Sequence, residues 1–251
     1  MPRLVILGTA SAVSDESHEN THMAVLGGQE TVLVDCAGSS LVRLKKVGVR
    51  LETISDIVLT HFHPDHVSAV PLLLMSLWLQ GRQAALRVHG LRHCLERLQT
   101  MMDLYEWRRW PGFYPVDYRE VPEEENTTLL EVADFRILAT PVKHLVPTIG
   151  LRIEGRPQGR TVAYSCDTEP CPSLVRLAQG ASVLLHEATG GSRGHSTALQ
   201  AGETAREAEV ERLLLIHYPT GQRYSSAIVE QAKQAFSGPV ELAEDLMQID
   251  F

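Results

Sequence analysis

The first third of the chain alternates short apolar runs with small and polar residues. Residues 3–8, 23–27 and 31–35 read as strands joined by Gly, Ser and Asp, the pattern of an antiparallel meander. The polar stretch 9–22 between the first two reads as a solvated loop, with His18 and His22 as loop residues and not ligands. Helical apolar spacing follows over 41–47. The run 67–80 is apolar enough for about four turns of buried helix, whose N-terminal dipole points back at the residues before it. Residues 86–88 read as a strand and 91–105 as a helix. Residues 106–115 mix aromatic and arginine side chains with Pro and Gly breakers. This loop, 107–114 above all, reads as a lid or subunit contact packed by its aromatics, or as a surface for substrate or nucleic acid.

A solvated acidic turn at 123–126 opens the second half. Strands are expected at 135–139, 149–153, 161–165, 183–185, 213–216 and 246–249, with helices at 198–208 and 225–236. Each half starts as a meander and turns into β-α alternation, without letter-by-letter repetition, linker or low-complexity segment. One domain over 1–251 is the expected organisation.

Composition narrows the class. With 44% hydrophobic and 22% charged residues the chain can bury a sizeable core. The formal net charge of −8 argues against a broadly basic surface binding nucleic acid non-specifically, although a local basic groove remains compatible with it. Cys36, Cys94, Cys166 and Cys171 are scattered and contain no C-x-x-C pair, so they are expected to be reduced and structural. No uninterrupted apolar segment approaches the roughly 20 residues that span a bilayer, and no signal-peptide pattern opens the chain. A soluble, cytoplasmic protein with no membrane partner is the expectation.

The candidate chemistry starts at His61-Phe62-His63-Pro64-Asp65-His66, directly after the strand-like Ile57-Val58-Leu59-Thr60. A single histidine beside a strand is ordinarily a hydrogen-bonded core or surface residue. Three imidazoles and a carboxylate around one turn are another matter, because without a metal they would leave unsatisfied or repelling groups. Imidazole and carboxylate are also the side chains that most readily bind a borderline divalent ion at neutral pH. Further strands end in a metal-capable residue: 135–139 leads to His144, 161–165 through Cys166 to Asp167, and 213–216 into His217. In layered α/β architectures functional groups collect where strands give way to loops. The expected ligands are therefore His61, His63, Asp65, His66, His144, Asp167 and His217.

In this order, Leu7-Gly8-Thr9, Thr60 to His66, Val142-Lys143-His144, Ser165-Cys166-Asp167-Thr168, His186-Glu187-Ala188-Thr189, Gly194-His195-Ser196-Thr197-Ala198 and Ile216-His217-Tyr218 resemble the metallo-β-lactamase superfamily. The His-Glu-Ala-Thr and His-Ser-Thr segments resemble its ribonuclease Z branch in particular. The resemblance implies an α/β fold built as a four-layer αβ/βα sandwich, with two divalent metal ions at one edge. By position it implies that His61, His63 and His144 hold one ion, that Asp65, His66 and His217 hold the other, and that Asp167 bridges them. Zinc comes first for such a ligand set, with manganese or iron as alternatives. Two cations acidify a bridging water and polarise the ester it attacks. Asp65 would orient that water or take its proton. His195 would act as general acid toward a leaving alkoxide, with Glu187 keeping its imidazole protonated and oriented. The bland alternative for His195 is an N-cap-like role before the 198–208 helix, where Ser196 or Thr197 would serve equally well. His186 is expected to be structural or to stand behind the ligands, and His89 and His93 to be ordinary. The branch also implies a homodimer.

The chain departs from the tRNA-processing members. Their long arm before the strand ending in the bridging Asp is replaced by Leu151-Arg152-Ile153-Glu154-Gly155-Arg156-Pro157-Gln158-Gly159-Arg160, enough for a strand and a turn only. The turn Asp35-Cys36-Ala37-Gly38-Ser39-Ser40 lacks the family's acidic residue, and Ala69 stands at a usual glycine. The expected activity is therefore a dinuclear phosphodiesterase acting on a small or single-stranded phosphodiester. tRNA 3′ processing, or hydrolysis of another ester such as an aryl sulfate, lactone or thioester, are the alternatives. RNA remains a possible partner. A non-catalytic scaffold is disfavoured because a degenerate member would have lost ligands, and a redox di-iron role because no flavin module follows.

Overall fold

A computed structural model describes residues 1–157, 159–221 and 225–251; Gln158, in the segment that replaces the arm, lies outside the described residues. The first half runs β1 (Arg3–Gly8), β2 (His22–Leu26), β3 (Thr31–Val34), α1 (Ser40–Lys46), β4 (Ile54–Val58), α2 (Pro64–Val67), α3 (Val70–Leu79), β5 (Leu86–Gly90), α4 (Arg92–Leu104) and β6 (Val116–Glu120). The second runs β7 (Thr127–Glu131), β8 (Phe135–Val142), β9 (Thr148–Gly155), β10 (Thr161–Tyr164), α5 (Pro172–Ala178), β11 (Val183–Glu187), α6 (Ala198–Glu207), β12 (Leu213–Ile216), α7 (Ser225–Lys233), β13 (Val240–Leu242) and β14 (Gln248–Asp250).

One sheet has the order β14-β1-β2-β3-β4-β5-β6 and the other β13-β12-β11-β10-β9-β8-β7. In each, an antiparallel meander passes into parallel strands, at β3–β4 in the first and β10–β11 in the second. The last strand, β14, returns to pair with β1.

Side-chain alternation explains the layers. Leu4 and Ile6 face the other sheet with Phe135, Ile137 and Leu151, whereas Val5 and Leu7 face the helices with Val70, Leu73 and Leu98. In the second sheet Leu214 and Ile216 point between the sheets, and Leu213 and Leu215 pack on Ala201, Ala205 and Ile228. Strands covered on both faces carry continuous apolar runs, and each fully buried Leu or Ile contributes roughly 1.5–3 kcal/mol. The result is the expected four-layer αβ/βα sandwich. Among the described residues no helix is long and apolar enough to cross a membrane.

Some local expectations are corrected. The helix expected over 67–80 starts only at Val70, and Val67 closes the separate short helix α2, because Pro71 has no N–H to continue the ladder and its ring excludes the preceding turn. The Cys36 peptide uses the break: its N–H donates to His66 O at 2.7 Å and its carbonyl accepts from Ala69 N at 3.0 Å. Asp65 and His66 consequently lie inside the short helix α2, not ahead of one long helix. His22 is fully buried at the start of β2, its Nδ1 2.8 Å from Asn20 O, and burial lowers the pKa of its imidazole. The edge strands β6 and β7 carry the mixed sequences VDYRE and TTLLE, which show little apolar alternation. The 107–114 loop packs inward on α3, with Trp110 stacked on Trp78 at 5.3 Å and Trp107 edge-on to Phe113.

Candidate metal centre

The functional side chains stand where strands end. β4 leads into His61, β8 into His144, β10 into Asp167 and β12 into His217, while β11 ends on Glu187 itself. The chain turns sharply there: Asp35, Cys166 and His217 adopt left-handed φ values of 60°, 52° and 51°. Such values are costly for residues with a Cβ and concentrate at functional sites.

All seven expected ligands come together at this edge. His63 Nδ1 lies 3.1 Å from His61 Nε2 and 3.2 Å from His144 Nε2, and Asp167 Oδ2 is 3.9 Å from the Nε2 atoms of both His61 and His144. The other carboxylate oxygen, Asp167 Oδ1, faces His66 Nε2 at 3.5 Å and His217 Nε2 at 3.4 Å. Asp65 Oδ2 completes that side, 3.4 Å from His217 Nε2 and 3.7 Å from His66 Nε2. Ligands about 2.0–2.1 Å from a tetrahedral ion stand about 3.3–3.4 Å apart, so both groups have the spacing of a coordination shell, and Asp167 offers one oxygen to each. His66 Nε2 and Asp167 Oδ1 are buried without a hydrogen-bond partner. Two buried polar atoms left open toward each other are costly unless a cation lies between them, and the histidine–carboxylate donor set suits a borderline divalent ion.

The far side of most ligand rings is also engaged. Asp35 Oδ2 accepts from His66 Nδ1 at 2.8 Å while Oδ1 accepts from Thr60 N at 2.8 Å. Gly194 O accepts from His144 Nδ1 at 2.6 Å, and Thr189 Oγ1 lies 2.8 Å from His217 Nδ1. Thr60 Oγ1 and Cys166 Sγ flank His61 Nδ1 at 3.1 and 3.5 Å. These contacts fix which nitrogen faces the cleft. Sequence reading missed Asp35 as an orienting residue, although it follows a strand in the same way as the ligands do. The β1–β2 loop reaches the 35–40 turn: Glu19 Oε1 accepts from Ser39 Oγ at 2.5 Å. Gly38 stands at φ 53°, and a Cβ there would sit 1.8 Å from Glu19 Oε2, so a larger residue would displace that carboxylate.

Glu187 is fully buried and accepts four bonds. Oε1 takes Thr168 N at 2.9 Å, Ser196 N at 3.2 Å and His195 Nδ1 at 3.0 Å, and Oε2 takes Thr189 N at 3.0 Å. A ligating atom of His195 lies within 4.8 Å of those of Asp167 and His217. The N-cap of α6 is Thr197, in a capping box with Gln200, so His195 is not used there. His186 is buried beside Glu187 with Nδ1 2.8 Å from Glu187 O, and the His89 ring bonds Asp56 at 2.7 Å.

Charge is graded across the site. Burial and the neighbouring His66 push His61 well below its usual value. Burial also works against the His66 cation, but Asp167 and Asp35 outweigh it and hold that imidazole well above the usual range. Burial works to raise Asp167, yet His217 and His66 hold its carboxyl well below normal. For His195 burial lowers the pKa and the Glu187 hydrogen bond more than offsets it.

Comparison with known proteins places the chain in a family. Residues 30–218 match the beta-lactamase superfamily domain. Ribonuclease Z of Methanothermobacter thermautotrophicus is 29% identical, with 100% of this chain and 97% of that protein covered. Ribonuclease Z of Mycolicibacterium gilvum is 30% identical over 99% of this chain and 96% of its own length. The crystal structure of the metallo-beta-lactamase fold protein YhfI from Bacillus subtilis superposes with a TM-score of 0.85 at 22% identity, covering 100% of this chain and 99% of that one. The alignment with the Methanothermobacter protein runs to 306 positions against 251 residues here, so at least 55 of them have no counterpart in this chain. With the superfamily domain spanning most of the chain and ribonuclease Z relatives matching it end to end, the protein belongs to the beta-lactamase superfamily, on its ribonuclease Z-like branch.

Proposed function

We propose that this protein is a dinuclear metal-dependent phosphodiesterase. The observation that carries the reading is the pair of buried, unpartnered atoms His66 Nε2 and Asp167 Oδ1, facing each other at 3.5 Å beside Asp65 and His217, while the other oxygen of Asp167 turns to His61 and His144. In this reading His61, His63 and His144 hold one ion, Asp65, His66 and His217 the second, and Asp167 both, with zinc ahead of manganese or iron. The ions, when bound, supply Lewis acidity and acidify a water for attack on phosphorus. Asp65, the most solvent-reached carboxylate of the set, orients that water or takes its proton. Because Nδ1 of His195 is held by Glu187, Nε2 is the nitrogen that gives its proton to the departing oxygen.

The test is a substrate panel run with Zn²⁺ and with Mn²⁺. Turnover of simple phosphodiesters is expected, and turnover of aryl sulfates, lactones or thioesters in its absence would move the activity to another ester. A second reading, tRNA 3′ processing, is favoured by the full-length similarity to proteins named ribonuclease Z. Against it stand the aligned positions this chain lacks and a β9–β10 connection of only residues 156–160. Cleavage of pre-tRNA with a steep salt dependence supports that reading, and no cleavage at any salt removes it. We also infer a homodimer. Leu72, Leu79, Leu104 and Tyr105 are exposed apolar side chains on and beside the helices that carry the 107–114 loop. Sedimentation at micromolar concentration is expected to give twice the 27.8 kDa chain mass, and a monomer there would refute it.

A further inference from the structure

Three loops bring chemistry to the metal edge from three strand ends, and one side chain ties them together. The segment after β10 pairs with the segment after β8 through an antiparallel bridge between Glu169 and Lys143: Glu169 N donates to Lys143 O at 2.7 Å, and Lys143 N to Thr168 Oγ1 at 3.1 Å. The Glu169 carboxylate then divides its oxygens. Oε2 accepts from Lys143 Nζ at 2.6 Å, and Oε1 accepts from Gly194 N at 2.9 Å. The carbonyl of the same Gly194 accepts from His144 Nδ1 at 2.6 Å. Gly194 stands at φ 87°, and a Cβ there would lie 2.7 Å from Leu145 Cγ and 3.0 Å from His144 Nδ1, so its place against the metal-edge histidine is closely confined. The next residue is His195.

The bland reading of Glu169 is an exposed ion pair with Lys143, of a kind that contributes little. The bond to Gly194 N has a different consequence, because moving that residue moves both the acceptor that orients His144 and the backbone that carries His195. We propose that Glu169 is a positioning residue: by holding the Gly194 amide it sets the His144 ring and the location of His195 together, so that metal affinity and proton donation are coupled through one residue. The proposal rests on the reading of His144 as a ligand and His195 as the acid.

Glu169→Ala and Glu169→Gln, with the wild type, provide the test. Three quantities are measured: hydrogen exchange at the Gly194 amide, affinity for Zn²⁺ alone, and the ratio of turnover on a dinucleoside phosphate to that on bis(p-nitrophenyl) phosphate. The alanine variant is expected to exchange Gly194 faster, to bind Zn²⁺ about tenfold more weakly, and to lose turnover mainly on the dinucleoside phosphate, whose alkoxide leaving group needs the acid. The glutamine variant keeps a carbonyl oxygen for Gly194 and is expected to restore all three. Unchanged Gly194 exchange in Glu169→Ala, or faster exchange with Zn²⁺ affinity and substrate ratio as in the wild type, overturns the proposal, as does a glutamine variant that behaves like the alanine one. If the wild type turns over neither diester, the phosphodiesterase reading fails, and exchange and Zn²⁺ affinity still decide the role of Glu169.

Discussion

Replacing His195 with alanine separates acid catalysis from metal chemistry. In the wild type His195 contributes one of the four bonds to the Glu187 carboxylate, and Thr168 N, Ser196 N and Thr189 N keep the other three. Removing one bond of four from a buried acceptor costs about 1–2 kcal/mol of stability, so the variant is expected to fold and, since every ligand remains, to keep its metal. General acid catalysis contributes about 10²- to 10⁴-fold, which corresponds to about 3–5 kcal/mol of barrier. That loss is expected on a dinucleoside phosphate, where a ribose alkoxide must be protonated as it leaves. On bis(p-nitrophenyl) phosphate the nitrophenolate departs as a stable anion, and the loss is expected to stay below about tenfold. The assay is kcat for both substrates at equal metal content, measured by elemental analysis on the same preparations. An equal loss on the two substrates refutes the acid assignment, and loss of metal on substitution shows instead that His195 belongs to the coordination shell.

The remaining predictions concern the supports of the site and the fold. Asp35→Ala strands the buried His66 Nδ1 and Thr60 N and is expected to weaken metal binding about 10- to 100-fold; unchanged affinity in a chelator competition would deny Asp35 its orienting role. Chelation is expected to abolish turnover and lower the melting temperature, because ions that bind only the folded chain stabilise it by about 2.7 kcal/mol at a hundredfold excess over Kd; identical melting with and without chelator would argue against a bound metal. Asp56 is buried against Arg87 and His89, each bond 2.7 Å. Burial raises its carboxyl, but His89 and Arg87 outweigh that and depress it far below the usual value. The stabilisation is therefore complete above the unfolded-state pKa near 4 and fades as pH falls through the depressed folded value. Urea unfolding from pH 5 down to pH 2 is expected to show the wild type losing more stability than Asp56→Asn, and parallel curves would refute the ionic account.

Much of the candidate site was legible because each expected ligand follows a strand whose apolar run marks its end. Thr60 to His66, Val142 to His144, Cys166-Asp167 and Ile216-His217 are all local signals. The misreadings are local too. His22 sits in a small, polar stretch that looks solvated, yet the bridge from Gly8 to the first residue of β2 encloses it. The apolar run after His66 looks helical from its first residue, but Pro71 and the Cys36 peptide delay its helix to Val70. Strands β6 and β7 escaped notice because an edge strand needs no continuous apolar run.

What the sequence determined by itself was the list of strand ends that carry metal-capable residues and the layered class, since side-chain type and a two-residue alternation are properties of neighbouring positions. What only the tertiary structure decided was the company those residues keep. Asp35 reaches His66 across 31 positions, Glu19 fills the turn at Gly38 and Ser39, Gly194 caps His144 from 50 positions away, and Glu169 reaches Gly194 across 25. No periodicity encodes such pairs. They exist because strands of both sheets end at one edge, where loops remote in sequence meet.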